Sequence, residues 1–125
     1  RYIRISAFNT EEAPMEAWLV SPPINLDNVL GAQLSFNIMS SYDNATILSV
    51  LVTEEFTGNV LTTNWQPMDA IIPIGPTNQY GRGFVKSKID ISCLKGDIHF
   101  AFRYLGAAPD KSTTYDIDNI RVSGN

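Results

Sequence analysis

The sequence predicts an all-β protein, built as an antiparallel sandwich or barrel. Apolar and polar residues alternate with the two-residue period of a strand through several segments of the chain. Turn-forming clusters, such as Gly81-Arg82-Gly83, separate these segments. No segment has a convincing helical repeat of apolar residues. About eight short strands joined by such turns are typical of a sandwich or a barrel.

The alternating segments define the candidate strands. In each, the apolar set of alternate side chains is predicted to face the core and the polar set to face solvent. Val85–Ile91 shows this most clearly, because two lysines and an aspartate occupy its polar face. Thr46–Thr53 is apolar on both faces, so it is predicted to be a central strand covered on both sides. The other alternating segments are Tyr2–Ala7, Gln33–Ile38 and Ile98–Tyr104, and the irregular residues 69–83 are predicted to wrap an edge or rim.

Length and composition fit one folded domain. A chain of 125 residues with 44% hydrophobic and 18% charged residues is long enough for a core and too short for two ordinary domains. The formal net charge of −4 argues against a nucleic-acid-binding module and against a polybasic membrane-surface module. The single cysteine, Cys93, excludes an internal disulfide and is predicted to be buried as a small apolar side chain.

Six segments match, in order, the short sequence blocks of one family. Trp18–Leu26 (WLVSPPINL) carries a W-L-hydrophobic-S-P-x-I-x-L block, and Tyr115–Val122 carries a W-x-I-D-D/N-V-x-V block with tyrosine in place of tryptophan. Over roughly residues 5–123 the chain therefore resembles the choice-of-anchor and cleaved-adhesin jelly rolls, which are related to MAM-like sandwiches. The other matching blocks are Leu34–Phe36, Leu48–Thr53 with Gly58 and Trp65, Ile89–Ser92, and Phe100–Tyr104.

The resemblance implies a jelly-roll β-sandwich, one domain over residues 1–125, from a secreted or surface protein of the Bacteroidota. Because the family begins with further strands, it also implies that the first strands are missing or that the segment is excised from a longer precursor. It implies a non-catalytic extracellular or outer-membrane module for binding or adhesion. The implied partners are a surface glycan or protein ligand and neighbouring domains of the precursor. The alternative is a spacer domain of a multidomain lipoprotein with no ligand of its own.

Asp118 is the candidate metal ligand. It shares one parity of the last strand with Ile120 and Val122, so it points inward if they face the core. An inward carboxylate needs a hydrogen-bonded or metal partner. Calcium, a structural ion that the resemblance implies, takes oxygen ligands; the alternative is a carboxylate that accepts backbone N–H groups near a strand end or bulge. Further ligands are expected in the opening segment, among Ser6, Ala7, Asn9, Glu11 and Glu12.

Four aromatic residues are candidate ligand-binding residues, because exposed rings can stack against sugars. They lie at or near predicted loops, whereas Trp18 lies within a strand and is predicted to be in the core. The alternative is ordinary packing in the core or at the rim. The candidates are Trp65, Tyr42, Tyr80 and Tyr115, and the rim loops expected to make contact are Tyr42–Asn44, Asn78–Arg82 and Ala108–Thr114.

The sequence does not favour an enzyme. His99 is the only histidine and lies between apolar neighbours in a candidate strand. No nucleophile elbow or phosphate-binding loop occurs. The acid pairs Glu11-Glu12 and Glu54-Glu55 would suit a glycoside hydrolase only if two carboxylates faced each other across a cleft. A glycoside hydrolase or its accessory domain is therefore the less favoured alternative.

Overall fold

The computed structural model describes residues 3–6, 15–106 and 111–124. This part of the chain consists of strands and their connections, and it contains no helix long and apolar enough to cross a membrane. The strands in it are β1 (Ile3–Ile5), β2 (Met15–Val20), β3 (Ile24–Asn25), β4 (Gln33–Ser41), β5 (Leu48–Thr53), β6 (Gln66–Pro67), β7 (Val85–Asp90), β8 (Asp97–Gly106) and β9 (Thr114–Ser123).

The strands form two antiparallel sheets. The first sheet has the order β1-β9-β4-β7. The second has the order β2-β8-β5-β6, and the short β3 also pairs with β8. Most connections cross from one sheet to the other, as in the double Greek key of a jelly roll. The predicted antiparallel β-sandwich is confirmed.

The core lies between the sheets and is formed by the inward side chains of both. Phe36 of β4 and Phe102 of β8 meet edge to face, with ring centroids 5.0 Å apart. Tyr104 and Tyr115 make a second contact of this kind between the sheets, at 6.1 Å. Burial of a large apolar side chain stabilises a fold by about 1.5–3 kcal/mol, so these rings contribute strongly. Other fully buried side chains are Leu26, Leu34, Ile38, Val52, Ile91, Ile98 and Ile117.

The predicted alternation is confirmed in β7, with one exception at its start. Ser87 and Ile89 are buried, while Lys86 and Lys88 are exposed. Val85 shares the inward parity but is exposed, because it is the first residue of a strand at the edge of its sheet.

Two burial predictions are wrong. β5 lies inside its sheet, between β8 and β6, but only its inward face is fully covered: Ser49 is exposed and Leu51 is half-buried on the outer face. Cys93 is exposed rather than buried. The chain turns after β7, and Ile91 and Leu94 take the buried positions of that turn, which leaves the thiol outside the core.

A β-bulge interrupts the pairing of β9 with β4. Two residues of β9, Asn119 and Ile120, lie opposite the single residue Phe36 of β4. Asn119 has a φ of 53°, in the left-handed region that asparagine adopts more readily than most residues. The bulge therefore depends on a residue that tolerates this backbone conformation.

The bulge reverses the alternation along β9. Tyr115 and Ile117 face the core before it, and Ile120 and Val122 pack against the core after it. Asp118 precedes the bulge, so it lies on the outer face of the first sheet and is partly exposed. The premise that Asp118 points inward with Ile120 and Val122 is therefore wrong, because the strand does not keep a single parity.

We expect Asn119→Val to destabilise the protein by about 1–2 kcal/mol, because a β-branched residue tolerates the left-handed conformation poorly. The measurement is urea-induced unfolding followed by fluorescence. Ser123→Val, on the exposed face of the same strand, is the matched control and is expected to change the free energy of unfolding by less than about 0.5 kcal/mol. Equal effects of the two substitutions would contradict the role given to Asn119.

Candidate functional site

Tyr42 and Tyr80, the tyrosine pair, form an exposed aromatic contact. Their ring centroids lie 5.0 Å apart with an interplanar angle of 80°. Tyr42 is 42% and Tyr80 is 53% exposed, so the edge-to-face contact leaves both rings open to solvent. Of the four predicted ligand-binding aromatics, these two are brought together at the surface.

The predicted rim loops meet beside the tyrosine pair. The Tyr42 N–H donates to the Gln79 carbonyl at 2.9 Å, which joins the first loop to the second. The Asn44 N–H donates to the Thr113 hydroxyl at 3.1 Å, which joins the first loop to the third. Residues Ala108–Asp110 of the third predicted loop lie outside the described residues.

Two glycines, one on each side of Tyr80, let this segment of the chain approach β4 closely. A Cβ atom on Gly75 would collide with the carbonyl oxygen of Ser40, and one on Gly81 would lie 2.8 Å from the same oxygen. The Gly75 N–H donates to the Asp43 carboxylate at 2.9 Å, and the Gly81 N–H donates to the Ser41 hydroxyl at 2.8 Å. These contacts hold the backbone on both sides of Tyr80 against the sheet.

Arg4 supports the tyrosine pair from the first sheet. Its guanidinium carbon lies 5.3 Å from the centroid of the Tyr80 ring, which is a cation–π distance. The same guanidinium donates to both carboxylate oxygens of Asp116, at 2.7 and 3.2 Å. The Asp116 side chain is fully buried, so this two-point ion pair compensates a carboxylate that is shielded from water.

The buried carboxylate of β9 is thus Asp116 rather than Asp118. Asp118 accepts a hydrogen bond from the N–H of Asn119 at 2.8 Å, and its partner across the sheet is Asn37. Ser6 is one of the expected further ligands of the ion. Its hydroxyl is hydrogen-bonded to the hydroxyl of Thr114, which lies four residues before Asp118 in β9. Residues 7–14, which include the other expected ligands, lie outside the described residues.

The described residues around Asp118 do not fit a calcium site. Calcium takes six to eight oxygen ligands, which usually include several carboxylates. In the part of the chain that the structure describes, no group of three or more His, Cys, Asp or Glu side chains could hold a metal ion. The predicted role of Asp118 as a calcium ligand stays a prediction.

Tyr115 is not a surface residue. It lies in β9, it is fully buried, and its hydroxyl accepts the Ile47 N–H at 3.2 Å. Burial is the main cause that raises the pKa of this phenol above its ordinary value. The expectation that Tyr115 lies at the rim and binds a ligand is wrong, because the strand begins one residue earlier, at Thr114, and directs the ring into the core.

Trp65 belongs to a second aromatic cluster, on the outer face of the second sheet. Its ring centroid lies 5.6 Å from that of Trp18 and 5.9 Å from that of Phe56. Its indole N–H donates to the Val60 carbonyl at 3.1 Å. Trp65 is therefore partly buried by its neighbours and does not lie with the tyrosine pair.

The prediction that Trp18 lies in the core is wrong. In β2 the inward positions belong to Ala17 and Leu19, which pack against the core. Trp18 consequently points outward, and its strand partner is Arg103 of β8. Apolar residues flank it in sequence on both sides, so the sequence pattern carried no signal for its orientation.

Trp18 and Arg103 share one carboxylate, that of Glu16. The Trp18 indole N–H donates to Glu16 Oε2 at 2.6 Å, and Arg103 Nε donates to the same oxygen at 3.3 Å. The Arg103 guanidinium carbon lies 5.6 Å from the Trp18 ring centroid. The indole hydrogen bond first, and Arg103 second, lower the pKa of the Glu16 carboxyl below its ordinary value. Sequence reasoning missed this group, although Glu16 and Trp18 are two residues apart and so share one face of a strand.

His99 lies near the same cluster. Its ring packs against that of Phe56, with centroids 4.6 Å apart and an interplanar angle of 42°. Its Nδ1 atom is buried and has no hydrogen-bond partner among the described residues. The ring is thus held by packing on the outer face of the second sheet.

Comparison with known proteins supports the fold. No protein-family model matches the chain, and no curated protein matches it. The K1 cleaved adhesin domain of Lys-gingipain from Porphyromonas gingivalis W83 is similar in structure, with a TM-score of 0.64 and 15% sequence identity. The superposition covers 99% of this chain and 74% of that chain. At this identity the likeness shows the shared β-sandwich, and the resemblance to cleaved-adhesin jelly rolls is supported at that level.

We expect Arg4→Met to lower the free energy of unfolding by about 1–3 kcal/mol, because it leaves the buried Asp116 carboxylate without its charged partner. The loss is smaller than for a fully buried pair, since the Arg4 side chain is 43% exposed. Arg121→Met, which removes an exposed cation from the same sheet, should change the stability little. Chemical denaturation of both variants measures the difference, and equal stabilities would contradict the role of the ion pair.

Ionisation of Tyr115 is expected to lower the free energy of unfolding at high pH. Its pKa is higher in the folded than in the unfolded protein, so its contribution is complete below the unfolded pKa of about 10 and is lost as the pH rises through the folded pKa. The expected result is a steeper fall in the free energy of unfolding between pH 9 and 12 for the natural protein than for Tyr115→Phe. The other tyrosines are common to both proteins, so parallel curves would show that Tyr115 has no such effect.

Proposed function

We propose that this domain is a non-catalytic adhesion module that contacts a macromolecular partner through the tyrosine pair. The observation that carries the proposal is the pair itself: two exposed rings in edge-to-face contact, with a guanidinium over one of them. Tyrosine and arginine are among the residues that contribute most to binding energy at protein surfaces.

The support of the tyrosine pair favours binding. The segment that carries Tyr80 is hydrogen-bonded on both sides of the ring, through Gly81 to Ser41 of β4 and through Gly75 to Asp43, just after β4. Arg4 is itself held by Asp116. A surface that is already ordered loses less conformational entropy when a partner binds, and more of the contact energy then appears as affinity.

The partner that we propose is a glycan or a protein on a cell surface. Asn78 and Gln79 precede Tyr80 and are exposed, and their amide side chains suit hydrogen bonding to either class of ligand. The similar domain of Lys-gingipain is described as a cleaved adhesin domain. We therefore place this domain in a secreted or surface-exposed protein, with neighbouring domains of the same precursor as further contacts.

A spacer domain is the second candidate function, and one observation favours it. Ile71 and Ile74 precede the tyrosine pair in the irregular segment, and both are strongly exposed. Exposed apolar side chains of this size suit contact with a neighbouring domain. In a spacer the same surface would be covered within the precursor and would bind no external ligand.

We expect Tyr80→Ala to weaken ligand binding about tenfold or more, as removal of a central aromatic residue does at many interfaces. The test screens the purified domain against an array of bacterial and host glycans and a panel of extracellular-matrix proteins. Affinities for the positive probes are then measured by biolayer interferometry.

The control variant is Leu61→Ala, which removes an apolar side chain that is even more exposed, from the β5–β6 connection. It should bind like the natural protein, and both variants should remain fully folded at the temperature of the binding assay. Absence of binding to every probe would overturn the adhesion function in favour of a spacer. Unchanged binding of Tyr80→Ala would overturn the tyrosine pair as the site.

A further inference from the structure

A cavity of about 350 Å³ opens on the outer face of the second sheet, between β5 and β8, and neither tyrosine of the pair lines it. Its volume is at the small end of the range for ligand sites in proteins. Its walls combine two cations, two hydroxyl groups and two aliphatic side chains. These are Arg103 and Lys111, Thr46 and Ser49, and Ile47 and Leu105.

Three residues of the cavity wall, Ser49, Arg103 and Leu105, lie in strands of the second sheet. Ser49 and Arg103 are cross-strand partners in the β5–β8 ladder. The Leu105 N–H donates to the Ile47 carbonyl at 3.0 Å, which holds Ile47 beside β8. The Ile47 N–H in turn donates to the buried Tyr115 hydroxyl. The cavity therefore exists without a ligand to shape it.

Arg103 is oriented before any ligand arrives. Its Nε donates to Glu16, and its guanidinium lies against the Trp18 ring. Among the described residues, its two terminal nitrogens donate no hydrogen bond. A guanidinium that is held at Nε presents its terminal donors in a fixed plane, which suits the planar geometry of a carboxylate.

The charge around the cavity favours an anion. Arg103 and Lys111 contribute two positive charges, and Glu16, which pairs with Arg103, contributes one negative charge. Among the described residues the local balance is positive, although the whole chain carries a formal charge of −4. The carboxylate of a bound ligand would supply a second negative charge beside Arg103 and Lys111.

The other residues that line the cavity favour a sugar over a simple anion as the ligand. The hydroxyl groups of Thr46 and Ser49 can donate to and accept from sugar hydroxyls. Ile47 and Leu105 offer an apolar surface to the C–H groups of a sugar ring. Inorganic phosphate would use the cations alone and leave the apolar surface uncovered.

We propose that this cavity binds a sugar residue that carries a carboxylate, through Arg103 and Lys111 for the charge and Thr46 and Ser49 for the hydroxyls. The inference rests on the cavity and not on the tyrosine pair. It adds a second site to the module and names acidic glycans as its ligands. A negative result with Tyr80→Ala therefore leaves it standing, and the reverse is also true.

The experiment is a titration of the isotopically labelled domain followed by NMR chemical shifts. The probes are glucuronic acid and N-acetylneuraminic acid, with glucose as the neutral control and inorganic phosphate as the simple anion. We expect at least one acidic sugar to shift the resonances of residues 46–49 and 103–106 with a dissociation constant of about 1 mM, a value common for weak single-residue contacts. Glucose and phosphate should bind at least tenfold more weakly.

Two variants test the assignment. Arg103→Lys keeps the charge but loses the planar donor pair, so it should weaken binding of the acidic sugar fivefold or more. Arg121→Lys, on the other sheet, is the matched control and should bind like the natural protein. The proposal is overturned if neither acidic sugar binds, if glucose or phosphate binds as well as the acidic sugar, or if Arg103→Lys leaves the affinity unchanged.

Discussion

The packing of β9 against β4 is the constraint on which the rest of this molecule depends. β9 must bury apolar side chains along its whole length, but its sequence does not place them on one parity. The bulge at Asn119 solves this conflict, because one extra residue moves Ile120 and Val122 to the face already occupied by Tyr115 and Ile117. Without that extra residue, one half of the strand would turn its apolar side chains to solvent.

The same constraint fixes the electrostatics of the candidate site. With Tyr115 and Ile117 directed inward, Asp116 must lie on the opposite face, where it is nevertheless shielded from water. A shielded carboxylate is stable only with a partner, and Arg4 of the neighbouring strand supplies it. Because Arg4 also lies against Tyr80, the ion pair connects the fold of the first sheet to the surface that we propose as the contact site.

The candidate site was partly predictable from the sequence. The exposure of Tyr42 and Tyr80 is predictable because each lies among turn-forming and polar residues. Tertiary packing leaves both rings exposed. Tyr115 has polar neighbours as well, yet it is buried, because β9 directs its ring into the core between the sheets. For Trp18 the error was the opposite, since a residue predicted to be in the core points outward. Its sequence neighbours Ala17 and Leu19 are also apolar, and they occupy the inward positions of β2.

The sequence by itself determined the fold class and, apart from Val85, the inward residues of β4, β7 and β8, since a two-residue period and the turn residues between strands are local properties of the chain. Tertiary structure alone decided three other features: the change of parity in β9, the pairing of Arg4 with Asp116, and the grouping of Glu16, Trp18 and Arg103. Each joins residues that are distant in sequence or depends on the register between strands. These strands are not joined by tight turns, so their register depends on how the apolar faces of both partners pack into the core, and the pattern of one strand alone does not define it.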